Sequence, residues 1–195
     1  MEELLVLYDK DIEDKDRDLY LKSIEKNITN ASIYDVDDIP NLIADKLLLL
    51  KPMENDIYNK LSQLLKYNPK LDIEGSHSGG LSITAEAVLK KLKDIKGKTI
   101  VILNQSNILG KSLASELVKL GASVFSLNSN FKSINNLLRD IDIDILISAS
   151  GDKNFKIENK YLKNIDTLID LSDDLESENK ITRVDTVKVL RSRLK

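Results

Sequence analysis

The stretch Thr99-Ile100-Val101-Ile102-Leu103 is apolar at every step after its first residue. A strand with one wet face alternates apolar and polar side chains. A run without alternation suits a strand covered on both faces, as in the interior of a parallel sheet. Lys96-Gly97-Lys98 precedes it as a turn, and the polar loop Asn104 to Gly110 follows. Lys111 to Leu120 then reads as a helix with Leu113, Leu117 and Leu120 inward. The pattern repeats. Ser123 to Leu127 is a second strand, Ile134 to Ile141 a helix and Ile143 to Ser148 a third strand. A helical turn near Tyr161 precedes a fourth strand over Leu168 to Leu171. Strands alternating with helices build a parallel sheet with right-handed crossovers.

The front of the chain repeats the theme on a smaller scale. Leu4 to Tyr8 and Lys46 to Leu50 read as strands. Asp14 to Ile28 reads as a helix, with Tyr20 or Leu21, Ile24 and Ile28 on one face and Asp14 and Asp16 favoured by the helix dipole. Asn30 to Pro40 reads as a polar loop with room for one short strand. Glu54 to Tyr67 reads as an amphipathic helix burying Ile57, Leu61, Leu64 and Leu65. Asn68-Pro69 stops it, and Gly75 to Gly80 holds three of the seven glycines, the best candidate for an interdomain hinge. Thr84 is placed to cap the next helix, whose Val88, Leu89 and Leu92 face inward. The tail from Arg183 to Lys195 reads as a basic helix with Val184, Val187, Leu190 and Leu194 on one side. The fold class is therefore α/β: a Rossmann-type parallel sheet domain over 81–182 and a smaller N-terminal α/β domain over 1–80. The tail helix, 183–195, is a candidate to pack on the smaller domain.

Composition narrows the function classes. The 195 residues are 42% hydrophobic and 31% charged, enough for a real core under a wet surface. A net charge of −3 gives no bulk attraction for phosphate backbones, so no nucleic-acid partner is expected. The absence of cysteine removes disulfides, thiolate nucleophiles and Cys-ligated metals. The apolar runs Leu4 to Tyr8 and Leu47 to Leu50 fall far short of a membrane span. With no basic start at Met1-Glu2-Glu3-Leu4, the expectation is a cytoplasmic protein without a membrane partner.

In an open α/β sheet a nucleotide binds at the carboxyl ends of the strands, where loop amides and the next helix start meet phosphate. The loop Asn104-Gln105-Ser106-Asn107-Ile108-Leu109-Gly110-Lys111 sits there, with Gly110 as its only glycine. The second strand ends on Asn128-Ser129-Asn130, so it offers neither an acid for ribose hydroxyls nor a cation for a 2′-phosphate. On the residues alone, an ordinary strand–helix turn without a ligand is the simpler reading, because a fold does not specify its ligand.

The segment Lys96 to Lys111 nonetheless closely resembles the cofactor loop of the methylenetetrahydrofolate dehydrogenase/cyclohydrolases, K-G-K-x-x-V-V-(I/V)-G-R-S-x-(I/N)-V-G-K-P. Lys70-Leu71-Asp72-Ile73-Glu74-Gly75-Ser76-His77 is similar to their K-D-V-D-G-F-H with one insertion. Ile83-Thr84 falls at their C-T-P helix start. Ile145 to Gly151 resembles their D-I-V-I-x-A-x-G strand, and Leu168-Ile169-Asp170-Leu171 their V-I-D-V. The resemblance implies NADP or NAD as cofactor, a reduced folate held between two domains, and a homodimer. It assigns Asn104, Gln105, Ser106, Gly110 and Ser129 to the cofactor, and Tyr20 and Asp72, the latter as the pterin acid, to the substrate.

The departures matter as much. Ile24 stands where the family's Tyr-x-x-x-Lys helix has its lysine, and Leu49 or Leu50 where its V-Q-L-P-L-P strand has glutamine. Asn104 replaces a glycine, Gln105 an arginine and Ser112 a proline, and the closing P-G-G-V-G-P is absent. Isoleucine neither moves a proton nor stabilises a charge, so the resemblance implies a dehydrogenase whose cyclohydrolase step is lost, with an inactive binding or assembly module as the alternative. Other readings stay open beside these. A helix Tyr such as Tyr20 is usually core. Asp72 and Glu74, two apart on an extended segment, read as solvated acids or as a carboxylate pair. His77 reads as an exposed loop histidine, the tail cations as a wet helix face, and Asp142, Asp144, Asp173 and Asp174 as caps and solvation.

Overall fold

The computed structural model describes residues 2–39, 44–128, 130–152, 154–175 and 180–194. The chain forms two compact units, Met1–Ile83 with Arg183–Lys195, and Thr84–Thr182. No helix among the described residues is long and apolar enough to cross a membrane.

In the first unit β1 (Leu4–Tyr8) lies between β2 (Ala31–Asp35) and β3 (Lys46–Leu49), all parallel. The central strand buries four consecutive side chains, Leu4 to Leu7, which accounts for its unbroken apolar run. Helix α1 (Lys15–Asn27) begins where the Asp14 carboxylate accepts from the Arg17 amide at 2.7 Å, and α2 (Asn55–Tyr67) where Glu54 accepts from Ile57 at 3.0 Å. Leu5, Leu7, Leu47, Leu49, Met53 and Leu65 form one core cluster, with Ile57, Tyr58 and Leu61 packed against it. Leu64, read as inward, is 44% exposed, because the buried stripe follows 57, 61 and 65.

Helix α6 (Arg183–Arg193) packs on α1. Its buried face runs through Val187, Val189 and Leu190, and Val184 is exposed, unlike the reading from spacing. The Thr186 side chain bonds Tyr20, and the Arg193 guanidinium points inward. These polar anchors turn the helix away from the stripe that apolar spacing alone selects.

In the second unit four parallel strands run in the order β5 (Ser123–Leu127), β4 (Thr99–Leu103), β6 (Ile145–Ser148), β7 (Thr167–Asp170). The two inner strands are the buried ones: Ile100, Val101 and Ile102 have no exposed surface, and β6 is buried throughout. Helices α3 (Ile83–Lys91), α4 (Gly110–Lys119) and α5 (Ile134–Asp140) complete the layers, with a 3₁₀ turn over Asn159–Tyr161. Thr84 lies inside the first turn of α3, so it does not precede the helix as a cap; buried Ser82 stands before it. Leu120 is 44% exposed because α4 ends at Lys119 and Leu120 is already its C-cap.

Candidate functional site

The carboxyl ends of β4, β5 and β6 surround a cavity of about 350 Å³ in the second unit. Its apolar wall includes Leu103, Leu127, Phe131, Ile134 and Phe155, and its polar rim includes Asn104, Gln105, Ser106, Asn128 and Asp152. The strand order places it beside the central strand, where a doubly wound sheet leaves a crevice.

The loop after β4 is closed by its own side chains. Asn104 donates through Nδ2 to the Ala149 carbonyl at 2.8 Å. Its Oδ1 accepts from the Ser106 amide at 2.9 Å, the Ser106 hydroxyl at 2.7 Å and the Gly110 amide at 3.0 Å. Ser106 Oγ in turn accepts from the Leu109 amide at 3.1 Å. A Cβ on Gly110 would overlap the Asn104 carbonyl, so glycine is required at this start of α4. Gln105 reaches across to the neighbouring strand: its Nε2 donates to Ser126 O at 2.6 Å, and its Oε1 accepts from Asn128 Nδ2 at 3.2 Å. Asn104, Gln105 and Ser106 therefore line the cavity and Gly110 shapes its loop; Ser129 lies outside the described residues.

The loop after β6 is fixed by an acid that the sequence reading assigned to caps and solvation. Asp174 is 1% exposed. It accepts from Ser148 Oγ at 2.6 Å, from Ser150 Oγ at 2.7 Å and from the Ser150 amide at 2.9 Å. Asp170 accepts from the Ser172, Asp174 and Leu175 amides. Neighbouring Asp173 is exposed and pairs with Lys180, as a solvated acid would. Sequence distance hides this: 26 residues separate Asp174 from Ser148. Phe131 and Phe155 were also missed, although each follows the carboxyl end of a strand.

In the first unit Asp72 is buried and Glu74 is only partly exposed. Asp72 lies beside β3, bridged to Leu47. Its carboxylate accepts from the Gly75 amide at 2.9 Å and from the Ser78 amide and hydroxyl at 2.8 Å, so it is committed to holding its own loop. Glu74 keeps some solvent access, but its crowded surroundings desolvate the carboxyl and push its pKa up to about 7. Arg193 opposes that rise and Asp72 adds to it. The Arg193 guanidinium donates to the carbonyls of Ile73 at 2.7 Å, Glu74 at 2.9 Å and Leu81 at 2.9 Å. It is therefore a structural clip for this loop, not part of a wet helix face.

Tyr20 is brought to the same cluster. Burial pushes its hydroxyl up to about 12, with a hydrogen bond to Thr186 opposing. Ile24, four residues on, has no exposed surface, and Lys22 and Lys26 are exposed. His77 is half-buried: its Nδ1 lies 2.9 Å from Ser62 Oγ, and its ring is tilted 55° to Tyr58 at 5.8 Å. Burial holds its pKa below the ordinary value. Tyr58, Lys51 and Ser62 were not singled out from sequence; a tyrosine at helical spacing reads as core. Among the described residues no group of three or more His, Asp or Glu could hold a metal.

A parallel sheet with a cavity at its carboxyl edge, walled by a helix-start loop, defines the fold as Rossmann-type. The model of the tetrahydrofolate dehydrogenase/cyclohydrolase NAD(P)-binding domain matches residues 82–189, and the chain belongs to that family as a divergent member. The bifunctional protein FolD of Lachnoclostridium phytofermentans is 26% identical over 181 residues, covering 84% of this chain and 61% of its own. The chain thus spans about three fifths of that relative's length. A 5,10-methylenetetrahydrofolate dehydrogenase from the silkworm Bombyx mori superposes with a TM-score of 0.76 at 19% identity, covering 99% of this chain and 86% of that one. The Trypanosoma brucei methylenetetrahydrofolate dehydrogenase-cyclohydrolase, solved with NADP and an inhibitor, gives 0.73 at 15%, covering 99% and 85%. At these identities the structural likeness establishes the fold.

Proposed function

We propose that the chain is an NAD(P)-dependent methylenetetrahydrofolate dehydrogenase that has lost the cyclohydrolase step. The observation that carries this is the cavity at the carboxyl ends of β4, β5 and β6 within a domain of this family. Its apolar wall suits a flat base, and the neutral groups of its rim, Asn104, Gln105, Ser106 and Asn128, suit ribose hydroxyls, with Asp152 as an acid beside them. The bound cofactor would accept the hydride. This chain's contribution is to orient it, chiefly through the loops that Asn104 and Asp174 fix. In the first unit Asp72 is the acid the resemblance assigns to the folate ring, and its carboxylate already holds Gly75 and Ser78; Glu74, two residues on, is the other acid of that loop. The loss of the cyclohydrolase step follows from Ile24, a buried aliphatic side chain where the family resemblance expects a lysine.

A second reading is a binding or assembly module without turnover. The Asn104 carboxamide favours it, since it already satisfies the Ser106 and Gly110 amides that would otherwise face a phosphate. Folate-dependent reduction of NAD or NADP, followed at 340 nm with purified protein, separates the two. Turnover without methenyl-folate hydrolysis supports the first. No turnover, together with no calorimetric heat for NAD, NADP or a reduced folate, removes it. The homodimer and the cytoplasmic location belong to the same proposal; sedimentation velocity reads the dimer.

A further inference from the structure

One corner of the cavity in the second unit lies where β5 ends, at Asn128. In a sheet of this kind the adenosine ribose of a dinucleotide sits at the end of the strand that follows the phosphate-loop helix. An acid there reads a free 2′-hydroxyl, and a cation there takes a 2′-phosphate. This chain has two carboxamides at that point. Gln105 crosses from the β4 loop, and its bonds to Ser126 O and Asn128 tie it to the end of β5. The Asn128 Oδ1 accepts from the Asn130 amide at 2.9 Å, which fixes the other half of the pair. Each carboxamide nitrogen uses one N–H in these bonds and keeps a second, and Gln105 Oε1 keeps a lone pair. Donors and an acceptor side by side suit vicinal hydroxyls. A phosphate monoester carries about two negative charges at neutral pH and is held best by cations. Among the described residues that line the cavity none is Lys or Arg, and the one charged group is the Asp152 carboxylate. Lys132, the first cation along the chain after β5, is exposed and lies outside that lining.

We propose that this corner selects a dinucleotide with a free 2′-hydroxyl, NAD rather than NADP, and that Gln105 and Asn128 are the specificity-determining pair. This rests on the dinucleotide reading of the cavity and narrows it. A 2′-phosphate brought to the pair gives up hydration and gains only neutral hydrogen bonds in return. It also shares the cavity with the like charge of Asp152.

Calorimetric titration of wild type, Gln105→Arg, Asn128→Arg and Asp152→Asn with NAD and NADP tests the assignment. Binding of 5′-AMP and adenosine 2′,5′-bisphosphate probes the adenosine end alone. Wild type is expected to bind NAD roughly tenfold or more tightly than NADP, and 5′-AMP more tightly than the bisphosphate. Gln105→Arg should raise NADP affinity by about tenfold and weaken NAD by about threefold, because a guanidinium meets a phosphate with two parallel bonds. Asn128→Arg should move the ratio the same way. Asp152→Asn should raise NADP affinity by about twofold, and that gain should vanish at high salt. Gln105, Asn128 and Asp152 are all exposed, so their variants are expected to fold. Wild type that binds none of these ligands removes the dinucleotide reading, and the selectivity with it. Wild type that binds NADP as tightly as NAD, or more tightly, leaves that reading standing and overturns the selectivity alone. A preference for NAD that no variant moves overturns the assignment to Gln105 and Asn128.

Discussion

The two units are both small parallel sheets, yet they treat polar groups in opposite ways. Around the cavity of the second unit the bonds run among amides, serines and buried aspartates, each closed locally. The shifted titrating groups of that unit belong to ion pairs away from the cavity, half-buried in Lys98 with Asp144 and exposed in Arg139 with Asp140. The first unit has such a pair too, Lys10 with Asp35, but it also gathers shifted groups around one loop: Glu74, Tyr20, Tyr58 and His77 all have burial as the largest cause. Perturbation by desolvation concentrates where proton or charge chemistry is handled, while a shape-reading pocket needs only satisfied, rigid walls. On the proposed function, the second unit would position a ligand and the first would respond to one.

The sharpest way to break this comparison is Gly110→Val. Its side chain would drive into the Asn104 carbonyl and the Gln105 amide, which are backbone atoms and cannot step aside. We expect the largest effect here, about 3–5 kcal/mol of stability, with loss of any dinucleotide binding, read by denaturant melts and calorimetry. Asp174→Ala comes next. It leaves Ser148 Oγ and both Ser150 donors without their acceptor in a buried setting, for about 2–4 kcal/mol. A loss below about 1 kcal/mol would mean that the closed network matters less than its geometry suggests.

Glu74→Gln probes the other unit, and its effect has a sign that depends on pH. The folded-state pKa, near 7, lies above the ordinary glutamate value of 4.5. The favourable contribution is therefore fully present below about pH 4.5 and is lost as pH rises through 7. Wild-type stability should fall across that window by on the order of 2 kcal/mol, after allowing for the group's partial solvent access. The amide variant should show a flatter profile and a relative gain at pH 8. Urea melts at pH 5 and pH 8 decide it; parallel profiles for both proteins would place the carboxyl in water.

Most of the second unit was legible in the sequence because parallel strands covered on both faces announce themselves. Thr99 to Leu103 and Ile145 to Ser148 need no alternation to be read. The short β2 was only half legible: Ala31 to Tyr34 are intermediate in burial at a sheet edge, its one buried residue is Asp35, and the pattern there is weak. The loop residues Asn104, Gln105, Ser106 and Gly110 were found through family spacing, but their mutual bonds were not. What failed was long-range pairing of polar groups. Asp72 and Glu74 alternate like solvated acids, and only Ser78, Arg193 and Ile83 reveal that one is committed and the other desolvated. Apolar periodicity likewise could not foresee that Thr186 and Arg193 would turn α6 and leave Val184 outside.

The smallest stability change we predict carries the most information about function. Asn104→Gly removes the carboxamide that bridges Ser106, Gly110 and Ala149. Glycine at a cap-like position costs little, and Ser106 Oγ still accepts from the Leu109 amide. The expected stability loss is therefore about 1 kcal/mol. The same change frees the Gly110 and Ser106 amides at the start of α4, where the helix dipole favours an anion. If the second unit positions a dinucleotide, NAD or NADP should bind Asn104→Gly more tightly than wild type, by roughly fivefold, and the gain should shrink with added inorganic pyrophosphate as competitor. If the carboxamide has instead closed the loop for good, the variant should melt about 1 kcal/mol lower and show no gain for either dinucleotide. Calorimetry on the two proteins side by side reads both quantities, and the second outcome would move the second unit from ligand positioning to assembly.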